Sequence, residues 1–197
     1  MSELHPLMIW LQAKRVHIAR FTLWPLIIYL FAYERISILS IDQTQYRWGL
    51  LSIVIGVLTR SISAGTLHKN QQLNMEGIYA IVRNPLYVGS FFILLGINLV
   101  IHHPLVWVAS AAIFLLTYIP TILGEEHTLK GIFPEQWDEF EATVPRFVPN
   151  IFRIFELRKT SWDARQWYKN HEHYTVITAI LVVIILELYS RFIAVNG

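Results

Sequence analysis

Apolar residues in this chain come in long, nearly unbroken runs parted by short polar stretches. They do not follow the strict alternation of a half-buried strand. The runs lie at about residues 18–33, 48–62, 87–101, 104–123 and 174–189. A helix needs about 20 apolar residues to cross a bilayer. Irregular backbone cannot face lipid because its N–H and C=O groups would go unpaired. The runs are therefore read as transmembrane helices. Only His102 and His103 separate the third from the fourth, which predicts a helical hairpin. The last contains TVITAILVVIILEL, with one charge, Glu187, near its end. The predicted fold is all-α: a polytopic helical membrane protein with about five spans.

Composition agrees. Of 197 residues, 54% are hydrophobic and 15% charged, against about 25% charged in soluble domains. The alternative, buried core helices in a soluble protein, would produce the charge placement described below only by accident. The net charge of +2, with no basic run interleaved with aromatics, points away from nucleic acid. The absence of cysteine excludes disulfides, a thiolate metal site and a cysteine nucleophile, and no metal site is expected. The first twelve residues lack the basic, apolar and small-residue order of a cleavable signal, so the chain is read as mature.

Charge placement orients the spans. With five spans and a cytoplasmic N-terminus, the cytoplasmic segments hold Lys14, Arg15, Arg20, Arg60, Lys69, Arg83, Lys130, Arg146, Arg153, Arg158, Lys159, Arg165 and Lys169. The far side holds Arg35, Arg47 and Arg191. Thirteen of 16 basic residues thus lie on one side, as the positive-inside rule requires. The polar segments 64–85 and 124–173 then meet on the cytoplasmic face, and the C-terminus lies opposite. Residues 150–173 mix Trp162, Trp167 and Tyr168 with charges, a composition suited to the headgroup layer or to a solvated linker.

Two polar clusters flank the hairpin. The first is GIYAIVRNPLYVG, residues 77–89. Asn84 is a favoured N-cap and Pro85 fits the first helical position, so a helix is predicted to start there with N–H groups that attract a carboxylate. Gly89 permits close approach of a backbone or ligand, and Tyr79 and Tyr87 offer ring faces to a cation. By composition alone this is also an ordinary loop-to-span junction. The second cluster is GEEHTL, residues 124–129. Adjacent carboxylates at a membrane boundary must be paired or solvated; they suit an ammonium group or a proton, or simply end a helix in water. Downstream, Phe133, Trp137, Phe140, Val144 and Phe147 recur at spacings of 4, 3, 4 and 3, an amphipathic helix that Pro145 and Pro149 interrupt or end.

Taken in order, these parts resemble the isoprenylcysteine carboxyl methyltransferase and phospholipid methyltransferase superfamily. The matching residues are Gly77, Tyr79, Arg83, Asn84, Pro85, Tyr87 and Gly89, then Glu125, Glu126, Leu129, Phe133, Trp137, Val144, Pro145 and Pro149. The resemblance covers about residues 45–150. It implies a cytoplasm-facing pocket for S-adenosylmethionine, open laterally to a lipophilic acceptor. The cofactor contacts carried over by position are Gln71, Gln72, Leu73, Asn74, Tyr79, Asn84, Pro85, Leu86, Tyr87 and Glu125. Glu125 suits the ammonium, the helix start at Asn84 the carboxylate, and the tyrosines the sulfonium and adenine. Glu126 and His127 are the candidates to accept a proton, with solvated or structural roles open for each.

The chain departs from the carboxyl-methylating branch. Asn84 stands where that branch has histidine, and Thr121 stands at the position of its substrate-clamping arginine. The expected acceptor is therefore a lipid amine or a thiol, with prenylcysteine carboxylate as the alternative. A carrier or a non-catalytic interaction protein forms the rival class; a carrier needs polar groups inside the spans, and these are few beyond Ser52, Asn98 and Ser110. Residues 1–150 are read as the enzyme core. Residues 151–197 are read as an interfacial segment plus a last span.

Overall fold

The computed structural model describes residues 43–69 and 71–196, with Phe21, Thr22, Pro25, Leu26, Ile28 and Tyr29 before them; side chains are described as far as Tyr189. The rest of the expected first span at 18–33 lies outside the described residues, as do the side chain of Arg191 and residue 197. Among the described residues the fold is all helical, with no strand. Helix α1 runs Gln43–Thr66, α2 Pro85–Ile101, α3 Pro104–Ile132, α4 Pro134–Thr143, α5 Ala164–Lys169 and α6 Glu172–Asn196. Among the described residues three helices are long and apolar enough to cross a membrane: α1, α3 and α6. Helix α2 is apolar but has 17 residues, about 25 Å at 1.5 Å per residue.

Helices α1 and α2 pack antiparallel along their whole length, and glycines set their distance. Gly49 and Gly56 on α1 lie opposite Gly96 and Gly89 on α2. A Cβ at Gly56 would stand 2.5 Å from the Gly89 carbonyl oxygen, and one at Gly96 would stand 2.5 Å from that of Gly49. Small residues that let backbones touch are the usual basis of helix association where lipid removes the hydrophobic drive. Between the glycine pairs, Ser52 Oγ donates to the Phe92 carbonyl at 2.8 Å.

The hairpin expected at His102–His103 is present. His102 adopts the left-handed conformation (φ 48°) that ends α2, and the Leu105 N–H donates to His103 Nδ1 at 3.2 Å to start α3. Gln45 reaches across from α1 to His102 and to the Leu99 carbonyl. Helix α3 does not stop near residue 123; it continues to Ile132 and carries the Glu125–Glu126 cluster on its last turns. Residues Phe114–Tyr118 form a π-turn within it. Pro120 accounts for this: it lacks an N–H and its ring crowds the carbonyl four residues back, which a widened turn accommodates.

At one end of the bundle the polar segments knit together. Carbonyls at the C-terminal end of α1 and just past it, which include helix-end orphans, accept from distant groups. Trp162 Nε1 donates to Ser61 O at 3.0 Å, Asn170 Nδ2 to Ala64 O at 2.8 Å, the Asp163 N–H to Gly65 O at 3.0 Å and Gln166 Nε2 to Leu67 O at 2.8 Å. The Arg83 N–H donates to Pro145 O at 2.9 Å and the Asn150 N–H to Ile81 O at 3.0 Å. Helix α4 ends at Thr143, before Pro145, and buries Trp137 and Phe140 with Val144 against Leu73, Met75 and Leu129. Helix α6 is tied to α1 at both ends: Tyr46 OH donates to Glu187 at 2.9 Å, and Arg60 pairs with Glu172.

Candidate functional site

Between α1, α2, the end of α3 and α6 lies a cavity of about 1160 Å³. Its polar end collects Gln72, Leu73, Asn74, Tyr79, Leu86, Tyr87 and Glu125 from four separate segments. These are seven of the ten residues carried over as cofactor contacts. Lys69, Arg83, Thr128, Leu129, Phe140 and Asn170 join them. Gln71, Asn84 and Pro85 do not line the cavity; Gln71 is exposed, whereas Asn84 and Pro85 are buried beside it. Further along, the walls become apolar, with Ile93, Leu94, Ile97 and Ile101 of α2 facing Val182, Ile185 and Leu186 of α6.

The loop after α1 is shaped by its own amides. Gln72 Nε2 donates to Asn74 Oδ1 at 3.0 Å, and Asn74 Nδ2 donates to the Thr66 carbonyl at 3.2 Å. Tyr79 sits in a single 3₁₀ turn, Gly77–Ala80, entered through Gly77 at φ +60°. Its hydroxyl donates to the Ser63 carbonyl at 3.3 Å. Burial, with the Glu125 carboxylate nearby, pushes its phenol well above the ordinary tyrosine value, so it is a neutral wall of the site. Tyr87 meets Tyr118 edge to face at 5.7 Å, and Tyr118 stacks on Phe114 at 5.2 Å.

The Asn84–Pro85 junction starts α2 as expected, but Asn84 does not cap it with its side chain. The Tyr87 and Val88 N–H groups both donate to the Asn84 carbonyl, and Pro85 has no N–H. The Asn84 amide instead donates to Glu126 Oε1 at 2.8 Å and to the Arg146 carbonyl at 3.2 Å. Glu126 is buried and turned from the cavity. Its other oxygen accepts from Arg146 Nε at 2.9 Å, and Arg83 Nε stands 3.7 Å from Oε1. Arg83 also faces Glu141 at 3.3 Å and lies over the Trp137 ring. His127 is exposed and outside the cavity wall.

Sequence reading did not single out Arg60 and Glu172 for the site. Arg60 Nε and Nη2 donate to the two oxygens of Glu172 at 2.9 and 2.8 Å. Arg60 Nη1 donates to Ser90 Oγ at 2.7 Å, and Nη2 also reaches Thr175 Oγ1 at 3.3 Å. Both charged residues line the cavity. The signal was present: a lone arginine inside the apolar run 48–62 demands an internal partner.

The group that the resemblance implies fits this end. The cavity can enclose an amino-acid nucleoside. Glu125 supplies an anion for an ammonium, while Asn74, Gln72 and Thr128 supply amide and hydroxyl groups, and Tyr87 an aromatic edge or face.

Known proteins place the chain consistently. Residues 45–136 match the phospholipid methyltransferase family. The chain is 30% identical over 116 residues to protein-S-isoprenylcysteine O-methyltransferase B of Arabidopsis thaliana, 53% of this chain and 59% of that one. It is 27% identical over 140 residues to protein-S-isoprenylcysteine O-methyltransferase of Schizosaccharomyces pombe, 71% of this chain and 59% of the relative. It is 29% identical over 105 residues to nickel-cobalt-cadmium resistance protein NccN of Alcaligenes xylosoxydans xylosoxydans, 52% of this chain and 49% of the relative. The chain thus spans between about half and three fifths of the length of these relatives. No solved structure matches. The superfamily resemblance carried by the two motif clusters is borne out by the family match and the two isoprenylcysteine methyltransferases.

Proposed function

We propose, from the premise that residues 45–136 carry the phospholipid methyltransferase pattern, that this protein transfers a methyl group from S-adenosylmethionine to a lipophilic acceptor at the membrane. One observation carries the reading: residues 72–74, Tyr79, Leu86–Tyr87 and Glu125, far apart in sequence, line one end of a single cavity whose other end is apolar. When bound, the cofactor supplies an electrophilic methyl on a sulfonium, a good leaving group. The chain's own contribution is then positioning and exclusion of water.

In this reading Glu125 receives the amino group, since a carboxylate–ammonium contact is charge-assisted. Tyr79 stays protonated and fixes the floor. Tyr87, braced by Tyr118, holds an aromatic edge toward the reacting centre. Glu126 keeps the two motif segments in register: Asn84 and Arg146 hold its two oxygens and it does not line the cavity, so we assign it positioning. His127, exposed and outside the cavity wall, is assigned no part in the transfer. The acceptor's tail lies along the apolar walls of α2 and α6, and its head meets the cofactor near the first turns of α2.

Lys69 and Arg83 line the cavity's polar end and Arg146 pairs with Glu126 beside it, whereas Arg47 lies at the other end of α1. By the positive-inside rule, this supports a cytoplasmic polar end. The test is transfer of labelled methyl from S-adenosylmethionine in proteoliposomes made with membrane lipid extract. Label that partitions with lipid and depends on the protein is expected. No label in lipid or small-molecule fractions, with intact folded protein, would reject the reading.

A further inference from the structure

A carboxylate acceptor needs a cation inside a water-poor site, because an anion drawn in without a partner loses several kcal/mol of hydration. Thr121, where the carboxyl-methylating branch has its arginine, is fully buried, and its hydroxyl donates to the Thr117 carbonyl at 2.7 Å. It does not line the cavity. Of the other cavity-lining cations among the described residues, Lys69 is exposed, and Arg83 stands 3.7 Å from Glu126 and 3.3 Å from Glu141 with its Nε and Nη1 in no hydrogen bond. Arg60 is the cation set between the polar end and the apolar walls, beside Leu86 and Ser90 of α2. It is held by both oxygens of Glu172, a carboxylate only 2% exposed.

We propose that Glu172 is a specificity-determining residue: it occupies Arg60 as a built-in carboxylate and thereby turns the acceptor site against anions. The proposal rests on the methyltransferase reading for the meaning of the site. Three observations support it. The Arg60 guanidinium is bidentate on Glu172, so its fork is filled in the way a substrate carboxylate would fill it. The pair lies in the wall of the cavity, not in a helix interface closed to it. Glu172 sits in the first turn of α6, where the helix dipole favours a negative charge. Helix α6 lies outside the family match at 45–136, so the chain's own terminal helix sets the charge of a site built by the matched core. The site then accepts neutral or cationic heads, such as a thiol or an amine.

The test compares two ligands that differ by one charge: farnesylcysteine and its methyl ester, titrated into the full-length protein in nanodiscs. The native protein is expected to prefer the ester. Glu172→Gln frees the Arg60 fork, and the acid-to-ester affinity ratio should rise about tenfold or more toward the acid. Arg60→Gln makes the opposite charge change, and the ratio should move further toward the ester. Should Glu172→Gln not fold, the Arg60→Gln arm still decides. Ratios unchanged in the folded variants, or acid and ester weakened alike, would show a pair that only fastens α6 and overturn the proposal. These titrations need no cofactor. Failure of S-adenosylhomocysteine to bind native protein would therefore reject the methyltransferase reading separately from this charge argument.

Discussion

Asn84 donates to Glu126 at 2.8 Å, joining the motif that starts α2 to the second carboxylate of α3 across 42 residues of sequence. The same carboxylate holds Arg146 and faces buried Arg83. Glu126→Ala leaves Arg83 and the Asn84 amide without this partner in the interior, which should cost roughly 3 kcal/mol or more. Glu126→Gln, which still accepts from Asn84, should lose less. Thermal unfolding in detergent checks the order native, Gln, Ala; equal midpoints for all three would contradict the account.

The α1–α2 contact gives a second prediction with an internal control. Gly56→Ala puts a Cβ 2.5 Å from the Gly89 carbonyl and 2.7 Å from Ile93 Cγ1. The helices must separate, at about 1–3 kcal/mol. Gly131 lies in α3, and a Cβ added there would meet nothing within 4 Å. Gly131→Ala should leave stability unchanged or raise it by up to about 1 kcal/mol. Equal melting shifts for the two variants would undo the glycine argument.

Helix α6, 25 residues long, spans about 37 Å at 1.5 Å per residue, enough to cross. The account puts Asn196 on the side opposite Arg158. The native chain has no cysteine, so Asn196→Cys and Arg158→Cys can each be probed with an impermeant thiol reagent in right-side-out and inverted vesicles. The two should label in opposite preparations. Labelling in the same preparation would reject a crossing α6.

The fold class was legible because long apolar runs with few charges have few other physical solutions. The hairpin was legible from two histidines between two runs; of the 4, 3, 4, 3 spacing only Trp137 and Phe140 fall in α4, which ends before Val144 and Phe147. Helix α3 overran its expected end because the Glu125–Glu126 cluster reads as polar boundary, while helix propensity carries the backbone on to Ile132. The role of Gly89 was open between ligand and backbone; in the fold it meets Gly56. What stayed hidden depends on residues that meet only in three dimensions. Trp162, Gln166 and Asn170 cap α1 from about 100 positions away. Glu172 reads as an ordinary helix start until Arg60 is seen against it. Asn84 reads as a capping residue, yet its amide is drawn off by a buried carboxylate.

The central claim, a cofactor site at the polar end of the cavity, is tested most directly by calorimetric titration with S-adenosylhomocysteine. Native protein should bind. Glu125→Ala and Tyr87→Ala should each remain folded and bind about ten- to a hundred-fold more weakly, as expected for loss of a charge-assisted or closely packed contact worth roughly 1.5–3 kcal/mol. No binding by native protein, or native affinity in both variants, would contradict the account.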